Sequence, residues 1–128
     1  MDRQEFEILK RFVNSKTLVG TYFTDVGVGS GDFHGVIDAV CVLGLRPERE
    51  PSILPARWER MYRKEIKTRR AWVLEVKREL NFEAIGQVLV YAHFFKRAAI
   101  VGKGIICEKA SKALEEVARN LGIKIFKV

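Results

Sequence analysis

Cysteine is nearly missing from this chain, and its scarcity removes one class of explanation at the outset. Only Cys41 and Cys107 occur, each among aliphatic neighbours with no CxxC pair and no Cys/His ligand spacing. A zinc site or an iron–sulfur cluster is therefore not expected. Long hydrophobic runs are lacking too: no apolar stretch approaches the roughly 20 residues that a membrane span needs. The opening residues, MDRQEFEILK, are polar and acidic where a secretory signal has a basic start followed by an apolar run. These absences point to a soluble, cytoplasmic protein with no membrane partner. Gly/Ser-rich and Pro-rich tracts that would act as linkers are also missing, as are internal repeats. With 128 residues and 48% hydrophobic content, one globular domain over residues 1–128 is the expectation.

What the chain has in excess is positive charge. Its 23 Lys and Arg outnumber 16 Asp and Glu, a formal net charge of +7. Such a balance favours polyanions, because each phosphate contact releases condensed counterions. The excess is concentrated: residues 45–70 hold nine Lys/Arg against four Glu, and Pro47, Pro51 and Pro55 interrupt the apolar periodicity there. The second half of this stretch, ARWERMYRKEIKTRR, fits a helix with Trp58, Met61, Tyr62 and Ile66 on one side. Arg57, Arg60, Arg63, Lys64 and Lys67 occupy the rest of it. The segment reads as a basic insertion between strands and as a nucleic-acid-facing arm. Trp58 and Tyr62 would serve there either as stacking surfaces or as anchors to the core.

Periodicity supplies the remaining elements. Phe6, Leu9, Phe12 and Val13 have helical spacing over residues 2–15, after a capping-box-like Asp2 and Glu5. TLVGTYFTD and VIDAVCVL read as two strands of a hairpin, separated by a flexible VGVGSGDFHG. AWVLEVKREL is a third strand. Asn81 can cap a largely buried helix that runs to about Phe95. RAAIVGKGII looks like a buried strand, and Ala110, Leu114, Val117 and Leu121 stripe a last helix closed by Gly122. IKIFKV ends the chain as a strand. The expected order is αβββαβαβ, an α/β fold with a central mixed sheet of about five strands flanked by helices.

Within these elements one constellation carries chemistry. Asp38 stands in VIDAV with apolar residues on both sides, a costly place for a carboxylate unless it is paired or binds metal. Glu75 and Lys77 are two apart in the third strand, so both project from one face, roughly 6–7 Å apart. If the two strands are neighbours, Asp38 and Glu75 can supply the hard oxygen ligands that Mg²⁺ or Mn²⁺ prefers. Lys77 would then orient the attacking water or neutralise developing charge. A plain Asp38–Lys77 cross-strand ion pair is the structural alternative.

Asp38, then Glu75-Val76-Lys77 in the next strand, then a helix and a further strand, resembles the PD-(D/E)xK nuclease superfamily over nearly the whole chain. The resemblance implies a restriction-endonuclease-like fold and hydrolysis of DNA phosphodiester bonds. It also implies metal binding by Asp38, Glu75 and the Val76 carbonyl, with Lys77 assisting hydrolysis. Ile37 stands where the motif often has proline. Gln87 and Tyr91 are similar to the QxxxY element of the RecB-like exonuclease branch; at i and i+4 on one helix they share a face. That branch's CRISPR-associated members usually carry a four-cysteine cluster, which two isolated cysteines do not supply. The chain also resembles archaeal Holliday-junction resolvases in size, in a GSG-like turn before Asp38 and in an acid on the first helix. Glu5, with Glu7 as fallback, is the candidate for that acid and for a further metal ligand. The expected partner is DNA, with a second copy of the chain left open. The alternative function is a catalytically inactive DNA-binding or assembly module on the same fold.

Overall fold

Asp2 and Glu5 start the first helix by satisfying each other's backbone. The Asp2 carboxylate accepts from the Glu5 N–H at 2.8 Å, and Glu5 Oε1 accepts from the Asp2 N–H at 3.0 Å. Two of the donors orphaned at a helix start are thereby paired. In the computed structural model, which describes Met1–Val128, this helix α1 spans Arg3–Asn14 and buries Ile8, Leu9, Phe12 and Val13 as one stripe. The chain then forms β1 (Thr21–Ser30), β2 (Phe33–Val42) and a 3₁₀ turn at Pro47–Arg49. A short β3 (Ser52–Pro55) and two small helices follow, α2 (Ala56–Met61) and α3 (Arg63–Ile66). The remainder is β4 (Arg70–Glu79), α4 (Phe82–Phe94), β5 (Ala99–Lys109), α5 (Lys112–Asn120) and β6 (Ile123–Lys127).

The strands make one six-stranded mixed sheet in the order β3-β1-β2-β4-β5-β6. β1 pairs antiparallel with β2, and β2 with β4. β3 lies parallel to β1, while β5 and β6 continue parallel beyond β4. Strand alternation divides the apolar residues between two faces. On β4, Trp72, Leu74 and Val76 pack with α1, whereas Ala71 and Val73 belong to the larger layer under α4 and α5. Full burial of a side chain such as Leu9, Phe12 or Leu74 contributes roughly 1.5–3 kcal/mol relative to exposure. Two short strands form the sheet's margins, β3 with four residues and β6 with five.

The α/β class and the helix-flanked mixed sheet agree with expectation, and four details differ. VGVGSGDFHG is no flexible link. β1 and β2 stay paired as far as Ser30 and Phe33, and the chain reverses at Gly31, whose φ of +62° suits glycine. Val26 and Val28 are buried there while the intervening glycines lie on the open side. The basic insertion contributes an edge strand, so the sheet has six strands and not about five. The expected helix over 56–70 breaks at Tyr62, and Met61 is 69% exposed while Ile66 is fully buried. α4 covers the sheet with one side only: Ala84, Ile85, Val88 and Ala92 are buried, whereas Phe82 and Val90 face outward.

Candidate active site

The pairing of β2 with β4 stops at one defined point. Val42, Cys41, Val40 and Ala39 face Ala71, Trp72, Val73 and Leu74, and the ladder goes no further. One residue beyond, side chains take over from the backbone. The Val76 N–H donates to Asp38 Oδ2 at 2.8 Å, and the Asp38 N–H donates to Glu75 Oε2 at 3.2 Å. Each carboxylate thus ties its own strand to the other across a gap that main-chain bonds no longer span. On its far side β4 remains paired with β5 through Glu79, so the strand is held from one edge and open at the other.

The separation has a cause in β1 and β2. Side chains of a regular strand return to one face every second residue. Here Phe23, Val26 and Val28 share the α4 layer, as do Ile37, Val40 and Val42. Both strands therefore contain a step of three, at Asp25 and Asp38, which face each other between the Thr24–Ala39 and Val26–Ile37 pairs. Asp25 has a φ of +54°, a left-handed conformation that Asp tolerates better than bulkier residues. Its carboxylate binds the Met1 amino group at 3.0 Å. Asp25 was not among the residues singled out from the sequence, and nothing in TYFTD marks a backbone reversal.

Glu75 is 2% exposed. Burial first, and then the neighbouring Asp38 carboxyl, push its carboxyl up to about 9, against a weaker opposing pull from Lys77. Lys77, two residues along, projects on the same side of the strand and is half-buried. The molecule's ion pairs are Met1–Asp25, Lys10–Glu7, Arg11–Glu108, Arg63–Glu59, Arg97–Glu59 and Lys127–Glu115. Lys77 joins none of them, so the Asp38–Lys77 cross-strand pair does not form.

The other sequence-derived candidates are placed unequally. Tyr91 lies at the site's edge: burial, followed by the charges of Glu75 and Asp38, raises its hydroxyl. Its ring rests against Gly35 of β2, where a Cβ would approach Tyr91 Cε1 to 2.4 Å. Gln87, one turn earlier on α4, donates to Glu83 at 3.4 Å and makes no hydrogen bond to Asp38, Glu75 or Lys77. Glu5 serves the capping box and also lines a polar depression of about 490 Å³ with Lys77, Asn81 and Lys109. The fallback Glu7 bonds Lys10 on the exposed side of α1.

In the insertion Arg57, Arg60, Lys64 and Lys67 are exposed, while Trp58 and Tyr62 stack on each other at 6.5 Å and pack against the core. The anchoring role is the one they take. Arg63 is tethered to the buried Glu59, which also binds Arg97 at 2.9 Å. Sequence reading missed Glu59, because its second partner lies 38 positions along the chain. Cys41 and Cys107 are free and buried on opposite faces of the sheet, and burial pushes their thiols up to about 12 and about 11.

No protein-family model, no curated protein and no solved structure matches this chain.

Proposed function

We propose that the protein is a divalent-metal-dependent deoxyribonuclease on a restriction-endonuclease-like sheet, hydrolysing phosphodiester bonds at the fork between β2 and β4. The observation that carries the reading is the reciprocal clasp at that fork: Asp38 holds the Val76 N–H, Glu75 holds the Asp38 N–H, and Lys77 stands unpaired on the same face.

The residues fit a hard cation. Glu75 is a buried carboxylate beside a second carboxylate, an arrangement that is repulsive when both are ionised and is relieved by a divalent ion. No cluster of three or more acidic, His or Cys side chains gathers in the molecule. The Asp38 and Glu75 carboxylates and the Val76 carbonyl are the proposed protein donors, which would hold the cation together with water and substrate oxygens. When bound, Mg²⁺ or Mn²⁺ supplies Lewis acidity and a water of lowered pKa.

The chain's own groups do the rest. Asp38 and Glu75 would hold the cation, and their bonds with the Val76 and Asp38 N–H groups fix their rotamers. The Lys77 ammonium, with no carboxylate partner, is available to orient the attacking water or to offset charge developing on the phosphate oxygens. Tyr91, feeling the same carboxylates, borders the substrate side. The exposed cations Arg57, Arg60, Lys64 and Lys67 attract the polyanion without regard to sequence.

Calorimetric titration with Mg²⁺ and Mn²⁺, beside cleavage assays on linear, single-stranded and branched DNA, tests the reading. Expected are metal binding and cleavage by the wild type, both lost in Asp38→Asn while DNA binding persists. A wild-type protein that neither binds the cation nor cuts any substrate overturns it in favour of an inactive DNA-binding module.

A further inference from the structure

A second concave surface lies beside the fork, between the β1–β2 hairpin and the C-terminal end of α4. This groove has a volume of about 570 Å³, and its charged lining is uniformly cationic: Lys96 and Arg97, with His34 near them and no carboxylate among the lining residues. The closest buried acid, Glu59, is already committed to Arg97 and Arg63. Arg97 is fixed from two sides, bonding Glu59 at 2.9 Å and donating to the Gly27 carbonyl at 2.6 Å. The wall is therefore preorganised: Glu59 offsets the Arg97 charge and is shared with Arg63, and Lys96 has no carboxylate partner.

Aromatic surface accompanies the charge. Phe94 lines the groove and stacks on Phe33 with centroids 4.7 Å apart and 22° between planes. Phe33 lies 6.2 Å from Tyr91, the residue that borders the Asp38–Glu75 fork. A half-buried aromatic path thus leads from the groove to the carboxylates. Cations alone would suit any polyanion. Cations beside half-exposed aromatic faces suit unpaired nucleotides, whose bases stack on side chains only when freed from their own duplex.

We infer that this groove binds unpaired nucleotides of the strand that runs to the fork, with phosphates on Lys96 and Arg97 and a base against Phe94. The link to the fork rests on the nuclease reading; the binding does not. Arg97 is too deeply tied into the fold to be a clean test, but two other positions are not. Lys96 is exposed, and a Cβ built on Gly27 meets nothing within 4 Å, so a side chain there projects into open space.

The test is the anisotropy of a labelled 12-residue oligothymidine, titrated with protein in EDTA so that no metal contributes. Lys96→Glu and Gly27→Glu should each raise Kd about tenfold or more, and Phe94→Leu about threefold to tenfold. Lys112→Glu, an equal charge reversal at the start of α5, should change it less than about threefold. Binding of a blunt duplex should respond to the groove variants no more than to the Lys112 control. Thermal melts establish that each variant is folded, and Lys96→Glu alone suffices should Gly27→Glu fail.

Groove variants that bind the oligonucleotide like the control overturn the inference. So does equal weakening of duplex and single strand, or equally strong competition by a poly-glutamate peptide of matched charge. The two readings fail separately. Groove-dependent binding by a protein that never cuts removes the nuclease and keeps the groove, whereas cutting by a protein indifferent to Lys96 and Gly27 does the reverse.

Discussion

The same two strands behave in opposite ways on either side of one residue pair. From Ala39 to Val42, β2 lies against Ala71–Leu74 of β4 in an ordinary ladder whose side chains are mostly apolar and buried. At Asp38 and Glu75 the ladder ends, and two carboxylates replace main-chain acceptors. The closed end gains from burial and from paired backbone groups. The open end retains a buried acid that water would solvate better. The molecule tolerates an electrostatic cost at this end, where β4 keeps its ladder with β5 alone.

The largest effects are expected at the open end. Asp38→Asn keeps an oxygen able to accept from the Val76 N–H but removes a charge, so cleavage should fall by roughly 10²–10³-fold or more while the melting curve holds. Lys77→Ala should lose cleavage on a similar scale yet keep the calorimetric response to metal, and loss of that response would reassign Lys77 from catalysis to the ligand set. At the closed end, Leu74→Ala should cost about 2–5 kcal/mol in denaturant unfolding, with the metal-induced stabilisation of the remaining folded protein unchanged.

Titration sharpens the contrast further. Glu75 is raised in the folded protein, from about 4.5 to about 9. Between those limits the folded state holds a proton that the unfolded state has released. Metal-free stability should therefore decline as pH rises through this window and be level below it. Glu75→Gln should flatten the slope. A wild-type melting temperature that is constant or rising from pH 5 to pH 9 in EDTA would contradict the assignment. The smallest effect belongs to the surface: Arg60, Lys64 and Lys67 changed together to Glu should reduce the salt dependence of duplex binding by about 0.9 in log–log slope for each phosphate no longer neutralised.

The residues that meet at the fork were legible because their placement depends on short-range order. Glu75 and Lys77 share a face by the period of two, and Asp38 is conspicuous within an apolar run. The bend that separates the strands was not, since it arises from a left-handed Asp25 and a step of three in both β1 and β2, neither of which leaves a compositional trace. The hairpin was legible, but the length of its strands was not, for a related reason. Glycines at every second position of VGVG looked flexible, whereas they occupy the open side of a strand whose valines are buried. In the insertion, prolines at both ends of Ser52–Pro55 argued against a strand, yet its parallel partner β1 lies about 30 positions earlier and decides the matter. Tyr91 was singled out by the likeness of its segment to a QxxxY element, and helical spacing placed it on one face with Gln87. Gln87 did not reach the carboxylates because it points its amide at Glu83 instead.

The sheet's two margins have a consequence for behaviour at high concentration. A strand with unpaired backbone groups along its length is a template for another chain, and long, flat, apolar edges invite stacking into aggregates. Here one margin is the four-residue β3, bounded by Pro51 and Pro55, and the other is β6, which carries Lys124 and Lys127. Proline withholds a donor, and lysine brings like charges together whenever two such edges meet. Strand-by-strand growth is therefore discouraged from both sides.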